Sequence, residues 1–299
     1  MRAHRLVLLL FSFLIVAPPT HVDAQLKKRV AVGRFEDRTG SGYHSLGDGV
    51  ADMLITALVK SGKFMVVERQ EIERVIQEQK FGESFMVTPE TAPKVGQLVG
   101  VELFVIGAVT EFGTKESNIS VGLSAFGGGV TKRLARAVVD VRLVNTTTGE
   151  ILASETFEGE ESTTGISVST QDIDFGNTSS WSDTDIGKAT REAVDGCVGL
   201  VTSNMDKVEW GGKVLKVNAD GTILIKPGSE GGVKPGDEFV VVRKGEEIKD
   251  PDTGLSMGAE EEQVGEIAVV EDALKGKAAK AKVAGGAKVQ VGDIVRQKK

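Results

Sequence analysis

The spacing of apolar positions changes along the chain, and the expected architecture changes with it. From Arg29 to Phe112 short apolar runs alternate with stretches of helical period. Arg29-Val-Ala-Val-Gly-Arg-Phe35 reads as a strand, and Asp37-Arg-Thr-Gly-Ser-Gly42 as a turn-rich loop. Val50, Met53, Leu54, Ala57 and Leu58 then recur at three- and four-residue intervals, one face of a helix that Gly62 is placed to close as a C-cap. Phe64-Met-Val-Val67 is a short buried strand, and Ile72, Val75, Ile76 and Gln79 mark one face of a charged surface helix. Pro89 and Pro93 frame a third helix around Val95, Leu98 and Val99, and Leu103-Phe-Val-Ile-Gly-Ala-Val109 closes the unit as a central strand. Strands alternating with helices predict an α/β layer.

Beyond Glu111 the pattern turns to hairpins. Ala137 to Asn145 reads as a strand, Thr146-Thr-Thr-Gly149 as a turn and Glu150 to Phe157 as the return strand. Two polar stretches rich in Gly, Ser and Thr, residues 113–136 and 158–184, flank this hairpin. A long amphipathic helix is expected from Asp185 to Val208, with Ile186, Ala189, Ala193, Cys197, Leu200 and Val201 on one side; Ser182 and Asp185 resemble a capping box with Asp in place of Glu. Ala51, Ala57, Ala189, Ala193 and Gly196 are small enough to let another element approach, either within the chain or from a second copy. Residues 209–299 read as a separate all-β module of short strands and Gly, Pro and Asp turns, whose regular spacing predicts a small barrel. Inside it Gly236-Asp237 and Gly292-Asp293 form an internal echo, each a turn entering an apolar strand.

The first residues place the protein. Arg2 and Arg5 precede an apolar run from Leu6 to Val16, shorter than the roughly 20 residues of a lasting membrane span. Pro18 and Pro19 break it, and Val22-Asp23-Ala24 sets small residues before Gln25, so cleavage between Ala24 and Gln25 is expected; a buried N-terminal helix is the alternative. Residues 1–24 are thus read as a signal peptide, and export to the periplasm follows. The sole cysteine is Cys197, which leaves no lipidation site near the cleavage point, no intrachain disulfide and no multi-cysteine metal site. The net charge is −7; Arg2, Arg5 and Asp23 sum to +1, so the mature chain stands at −8. An acidic chain without a long basic run makes no nucleic-acid partner, whose binding rests on phosphate neutralisation.

Candidate chemistry is sparse. His44 is the one histidine of the mature chain, too little for a Ser/His/Asp triad or a His/Cys zinc site. Gly40-Ser-Gly42 sits where a phosphate-binding loop would, but Ser45 holds the place of the third glycine, and a tight surface turn is the simpler reading. Asp250-Pro-Asp-Thr-Gly254 lacks the glycine position of a calcium loop and reads as a β-turn. Asn118, Asn145 and Asn177 match the glycosylation pattern and read as ordinary polar loop residues. No catalytic, cofactor-binding or metal-binding residue is assigned, no cofactor is expected, and the protein is read as a non-enzyme.

Several segments together carry a family likeness: Val30-Ala-Val-Gly-Arg-Phe-Glu-Asp-Arg-Thr-Gly40, Gly49-Val-Ala-Asp-Met-Leu-Ile-Thr-Ala-Leu58, Phe64-Met-Val-Val-Glu-Arg-Gln70, Val105-Ile-Gly-Ala-Val-Thr-Glu-Phe112 and Val141-Arg-Leu-Val-Asn-Thr-Thr-Thr-Gly-Glu-Ile151. Over roughly residues 28–208 the chain resembles the curli secretion channel family, CsgG. Its tail, with Gly232-Val-Lys-Pro-Gly-Asp237 and Asp250-Pro-Asp-Thr-Gly254, resembles the C-terminal domain of the flagellar assembly protein FlgT. The resemblance implies a ring of identical subunits at the outer membrane. Each would give an α/β periplasmic domain, residues 25–208, with inserted β-hairpins that build a shared barrel for a secreted polypeptide. The stretches 113–136 and 158–184 occupy the hairpins' places. Ile119, Val121, Leu123 and Ala125 alternate with Ser120, Gly122 and Ser124, the pattern of a strand facing lipid on one side and a lumen on the other, with Gly127-Gly-Gly129 as its turn. In the second stretch only Ile166 and Val168 alternate cleanly, among Glu158, Glu160 and Glu161; Phe157, Phe175 and Trp181 are candidates for membrane interfaces. Soluble periplasmic loops are the alternative for both stretches. The loop from Gly40 to Gly49 is shorter than the family's constriction loop, which leaves Tyr43 and His44 to narrow a pore.

The expected function is a non-enzymatic, homo-oligomeric component of a curli-like secretion system, an export channel associated with the outer membrane. The alternative is a periplasmic scaffold or ring that assists a flagellum or holdfast without forming a pore. Its partners are further copies of itself, a secreted polypeptide or accessory envelope proteins.

Overall fold

The structure, a computed structural model, describes residues 26–43, 45–78, 88, 91, 100–120, 129–164, 181–251, 256–285 and 287–298. A mixed sheet forms first along the chain. Strand β1 (Arg29–Val32) lies between β3 (Met65–Val67) and β4 (Leu103–Ser120), parallel to both; β2 (Glu36–Asp37) pairs in parallel with β4, and the antiparallel β5 (Gly129–Asn145) and β6 (Ile151–Thr164) complete it. β1 is apolar on both faces because both are covered: Val30, Ala31 and Val32 have no exposed surface. Val30 and Val32 belong to the core under the helices α1 (Leu46–Ser61) and α3 (Asp185–Asn204), whereas Ala31 joins Phe104 and Ile106 beneath Ile72 of α2 (Arg69–Glu78). α1 buries Leu46, Val50, Leu54 and Leu58 at helical spacing, and Gly62 ends it in the left-handed conformation at φ 67°. The expected third helix near Val95 and Leu98 lies outside the described residues.

α3 lies across β5 and β6, and small residues make the crossing. A Cβ on Gly159 would stand 1.8 Å from the Ala189 carbonyl oxygen, and one on Gly196 would meet the Phe157 ring at 2.3 Å. Ala51, Ala189 and Ala193 are fully buried in the same core. These small residues therefore serve packing within the chain. The N-cap differs from the expected Ser182 box. Thr184 takes that position, its hydroxyl accepting from the Gly187 amide at 3.2 Å, while Asp185 stands inside the first turn. Cys197 is buried among apolar side chains, and its thiol donates to the Ala193 carbonyl at 3.2 Å.

The second unit is a closed six-stranded antiparallel barrel. β7 (Gly212–Val217), β8 (Thr222–Lys226), β9 (Glu238–Lys249), β10 (Ser256–Ala273), β11 (Ala278–Val283) and β12 (Ile294–Gln297) close in the order β10-β11-β8-β7-β12-β9. Closure pairs each strand on both sides within the barrel, and the β9–β10 hairpin continues beyond it. Val214, Ile223, Ile225, Phe239, Val241, Ile267 and Val295 fill it at alternate positions, and Trp210 stacks on Phe239 at 5.1 Å. The Gly-Asp echo proves to be one turn used twice. Gly236 and Gly292 share φ 95°, and the Asp237 and Asp293 carboxylates accept from the amides three residues back, Lys234 at 2.8 Å and Gln290 at 2.7 Å. The strands they start, β9 and β12, pair with each other.

Polar bonds join sheet and barrel. Arg29, held by Glu102 at 2.9 Å, bonds the Gly211 carbonyl at 3.1 Å, and the Lys27 amide donates to the Gly231 carbonyl at 2.9 Å.

Candidate functional site

The region singled out by the sequence is where the loop before α1 meets β4 at Phe112, below the outer ends of β4, β5 and β6. The loop is ordered by its own hydroxyls and carboxylates. Asp37 accepts from the Thr39 amide at 2.9 Å and from its hydroxyl at 2.7 Å, and Thr39 bonds Ser41 in turn. Gly40 and Gly42 take positive φ, as a tight turn requires, and so does Ser45 at φ 60°. Arg34 ties the loop's start to α1 through Asp48 at 3.0 Å. Gly47 lets the helix start this close: a Cβ there would stand 1.9 Å from the Phe35 carbonyl oxygen.

From this loop a chain of aromatic edges runs inward. Tyr43, half-buried, meets Phe112 of β4 edge-on with centroids 5.8 Å apart, and Phe112 meets Trp181 in the same manner at 5.8 Å. Trp181 has no exposed surface and belongs to the main core. An interfacial position for Trp181 is thereby overturned: the indole closes the core just before α3. Phe157 is half-buried against α3. This cluster joins the loop, the root of one hairpin and the segment that returns from β6, three parts of the chain that no local spacing connects.

Beyond Phe112 the strands run on. The β4–β5 pairing continues without a break from Phe112↔Ala137 to Ser120↔Gly129, and β6 stays paired to β5 as far as Thr164↔Lys132. Past the core the strands carry charged side chains among Thr114, Leu134, Ser162 and Thr163. On the side of α3, Arg133 bonds Glu116 at 3.2 Å and approaches Asp185 at 3.9 Å. On the opposite side Arg136 gathers Glu158 at 2.9 Å, Glu111 at 3.4 Å and Glu160 at 3.8 Å. The glutamates that crowd the second stretch are thus answered in part by one arginine, a partnership the sequence does not reveal because it crosses strands.

Of the sequence-predicted site residues, Tyr43 lies in the loop as described, and Ile119 lies in β4 opposite Val130. Ala24, Gln25, His44, Val121, Leu123 and Ala125 lie outside the described residues. So do residues 252–255 of the expected β-turn between β9 and β10. Among the described residues no cluster of His, Cys, Asp and Glu is arranged to hold a metal ion, and no helix is long and apolar enough to cross a membrane, which says nothing of strands.

Comparison with known proteins adds the following. The model of the family described as curli production assembly/transport component CsgG matches residues 14–226, past α3 and through β8. A curli production assembly/transport component CsgG of Salmonella typhimurium is 29% identical over 150 residues, 45% of this chain and 54% of that protein. Its counterpart from Escherichia coli strain K12 matches at the same identity and coverage. The chain thus spans about half the length of the curated relatives it matches. Among solved structures, the LpoB C-terminal domain from Salmonella enterica aligns at 17% identity with a TM-score of 0.33, over 44% of this chain and 82% of that one.

Proposed function

The chain belongs to the CsgG family, and on that premise we propose that it is a non-enzymatic, homo-oligomeric envelope component of a curli-type secretion or assembly system, acting as an outer-membrane channel. The observation that carries this reading is the run of paired strands past the helical layer, unbroken to Ser120↔Gly129. In a ring of copies such ribbons would stand side by side and close a wall that no single chain completes. The passage works by confinement of an unfolded polypeptide, with Tyr43 and His44 at its narrowest level. Tyr43 is braced by Phe112 and offers such a passage a held edge. The charged root, with Arg133 and Arg136 in their carboxylate clusters, belongs in water below the bilayer.

One feature favours the second reading, a periplasmic scaffold or ring that assists a surface appendage without a pore. Lys115 stands in the same alternating row of β4 as Ile119, and Lys132 of β5 lies opposite Ser117 in that row. Between Glu116 and Lys132 the sequence is uncharged over residues 117–131, about seven for each arm of the proposed hairpin, against about nine to eleven for a tilted strand that crosses a bilayer.

Two substitutions separate the readings. In the channel, Val121→Arg faces lipid and costs roughly 2–4 kcal/mol near the midplane, whereas Ser120→Arg faces the lumen and is tolerated. Loss of outer-membrane assembly for the first alone supports the channel. Equal, undiminished assembly of both refutes it in favour of the scaffold. Monomeric behaviour in light scattering, in both detergent and aqueous buffer, refutes a ring of either kind.

A further inference from the structure

Between the sheet and the barrel lies a cavity of about 810 Å³, far from the ribbon. That size falls in the range of sites for small organic ligands. Its walls come from residues 100–102 just ahead of β4, the β5–β6 turn, the segment after α3, and β7, β8, β9, β10 and β12.

The charges around it do not balance. Glu102 is taken by Arg29 at 2.9 Å, and Glu261 by Arg296 at 2.6 Å with Glu209 near the same guanidinium at 3.9 Å. Each carboxylate on the wall is therefore engaged by an arginine. Four further lysines line the same cavity: Lys207, Lys213, Lys226 and Lys244. An acidic protein thus holds a net positive cleft.

Two of these lysines are placed against their own repulsion. Lys213 of β7 and Lys226 of β8 are direct cross-strand partners. Their neighbours Val214 and Ile225, also opposite each other, point into the barrel core, so both lysines stand on its outer face toward the cavity. Like charges directly opposite on a sheet are destabilising. Lys226 is half-buried, and its ammonium is held below its usual pKa by burial first and then by Arg29 and Lys213. Gly211 and Gly212, both lining residues, keep the floor open: a Cβ on the first would stand 2.9 Å from the Arg296 guanidinium, and on the second 2.8 Å from the Lys226 carbonyl oxygen. A facing pair of cations over a floor without side chains is the arrangement that a doubly charged anion relieves.

We propose that this cleft binds a phosphoryl group, the opposed Lys213 and Lys226 holding its oxygens with Arg29 beside them. The bearer is a small phosphorylated molecule in solution or the headgroup of a phosphorylated lipid.

The test uses the full mature chain and inorganic phosphate, with chloride at equal ionic strength as the control. Phosphate is expected to raise the melting temperature of the wild type beyond the chloride control. Lys213→Gln, at an exposed position, is expected to melt higher than wild type without phosphate and to weaken phosphate binding about tenfold or more. Lys213→Glu, which turns the facing pair into an ion pair, is expected to abolish the response. Co-sedimentation with phosphatidylcholine vesicles containing phosphatidic acid identifies the bearer. Binding that Lys213→Gln abolishes points to a lipid headgroup, whereas a response to free phosphate without vesicle binding points to a soluble ligand. A wild type that responds to phosphate no more than to chloride, or variants that respond as the wild type does, overturn the proposal.

Discussion

Trp181 packs where the root of the β4–β5 ribbon meets the start of α3, and its removal has a calculable cost. The side chain is wholly buried in the core beneath α3 and meets Phe112 edge-on. A buried tryptophan hides about 150–250 Å² of surface. At about 25 cal/mol per Å² that is roughly 4–6 kcal/mol, of which alanine keeps a part. The surroundings are held by backbone contacts and will not collapse: the Trp181 carbonyl accepts from the Thr184 amide at 3.0 Å and from its hydroxyl at 2.6 Å, against the start of α3. Trp181→Ala is therefore expected to cost about 3–5 kcal/mol, most of a domain's usual margin. Urea unfolding followed by far-ultraviolet circular dichroism measures the loss. Because the chain has two tryptophans, the variant leaves Trp210 of the barrel as the sole tryptophan, and its emission, excited at the long-wavelength edge where Tyr43 does not absorb, reports on that unit alone. The expected result is an early transition in dichroism with the Trp210 signal retained. A loss below about 1 kcal/mol, well under the range for large aromatic truncations, refutes the idea that Trp181 fastens the ribbon roots to the core.

Further outcomes follow from single contacts. Gly159→Ala places a methyl carbon 1.8 Å from the Ala189 carbonyl oxygen, a clash no side-chain rotation relieves; a loss of about 1–3 kcal/mol or more in thermal or urea unfolding is expected, and wild-type stability would sink it. Burial opposes ionisation of Asp293, but hydrogen bonds from Arg243 and the Gln290 amide, with the arginine's charge, outweigh it and hold the carboxyl below its usual range. A depressed folded-state value contributes stability that is present above the unfolded value of about 3.9 and lost as pH falls through the folded one. Asp293→Asn is thus expected to lower the melting temperature at neutral pH and to flatten its decline in acid; parallel curves for the two proteins would contradict this. Burial pushes the Cys197 thiol up to about 12, so a disulfide reagent at pH 8 should label it only after denaturant is added, and prompt labelling of the native protein would show the helix open.

The elements most legible in the sequence are those whose residues recur at a local period. α1 was readable because Val50, Leu54 and Leu58 repeat along one buried stripe and Gly62 ends the helix in a left-handed conformation that glycine adopts without the strain it imposes on other residues. The barrel was readable from strands such as Thr222–Lys226, whose Ile223 and Ile225 alternate inward between Gly and Asp turns. The N-cap was misplaced by two residues because Ser182 and Thr184 offer the same hydroxyl and only the backbone geometry chooses between them. The site fared worse. Trp181 suits an interface or a core by composition alone, and its contact with Phe112 depends on how β4 passes under α3. The ion pairs of Arg136 with glutamates from two neighbouring strands, and the Lys213–Lys226 pair, are products of strand register, which the period-two pattern constrains only to a face.

The position of β4 ties the two proposed activities together. Its first residue, Leu103, follows Glu102 of the cationic cleft, and its last described residue, Ser120, stands at the far end of the ribbon. At about 3.3 Å per residue the strand separates these ends by roughly 55 Å, more than the thickness of a whole bilayer with its headgroups. A channel whose ribbon tips enter the outer membrane therefore holds its barrels, and the cleft, on the side away from that membrane. Such a cleft meets soluble phosphorylated molecules and not the headgroups of the bilayer that the ribbon enters. The vesicle experiment thus bears on the channel as well. Headgroup capture by Lys213 and Lys226 would orient the barrel end toward lipid and point the ribbon into the aqueous compartment, the geometry of a scaffold. A response to soluble phosphate alone leaves the ribbon free to insert.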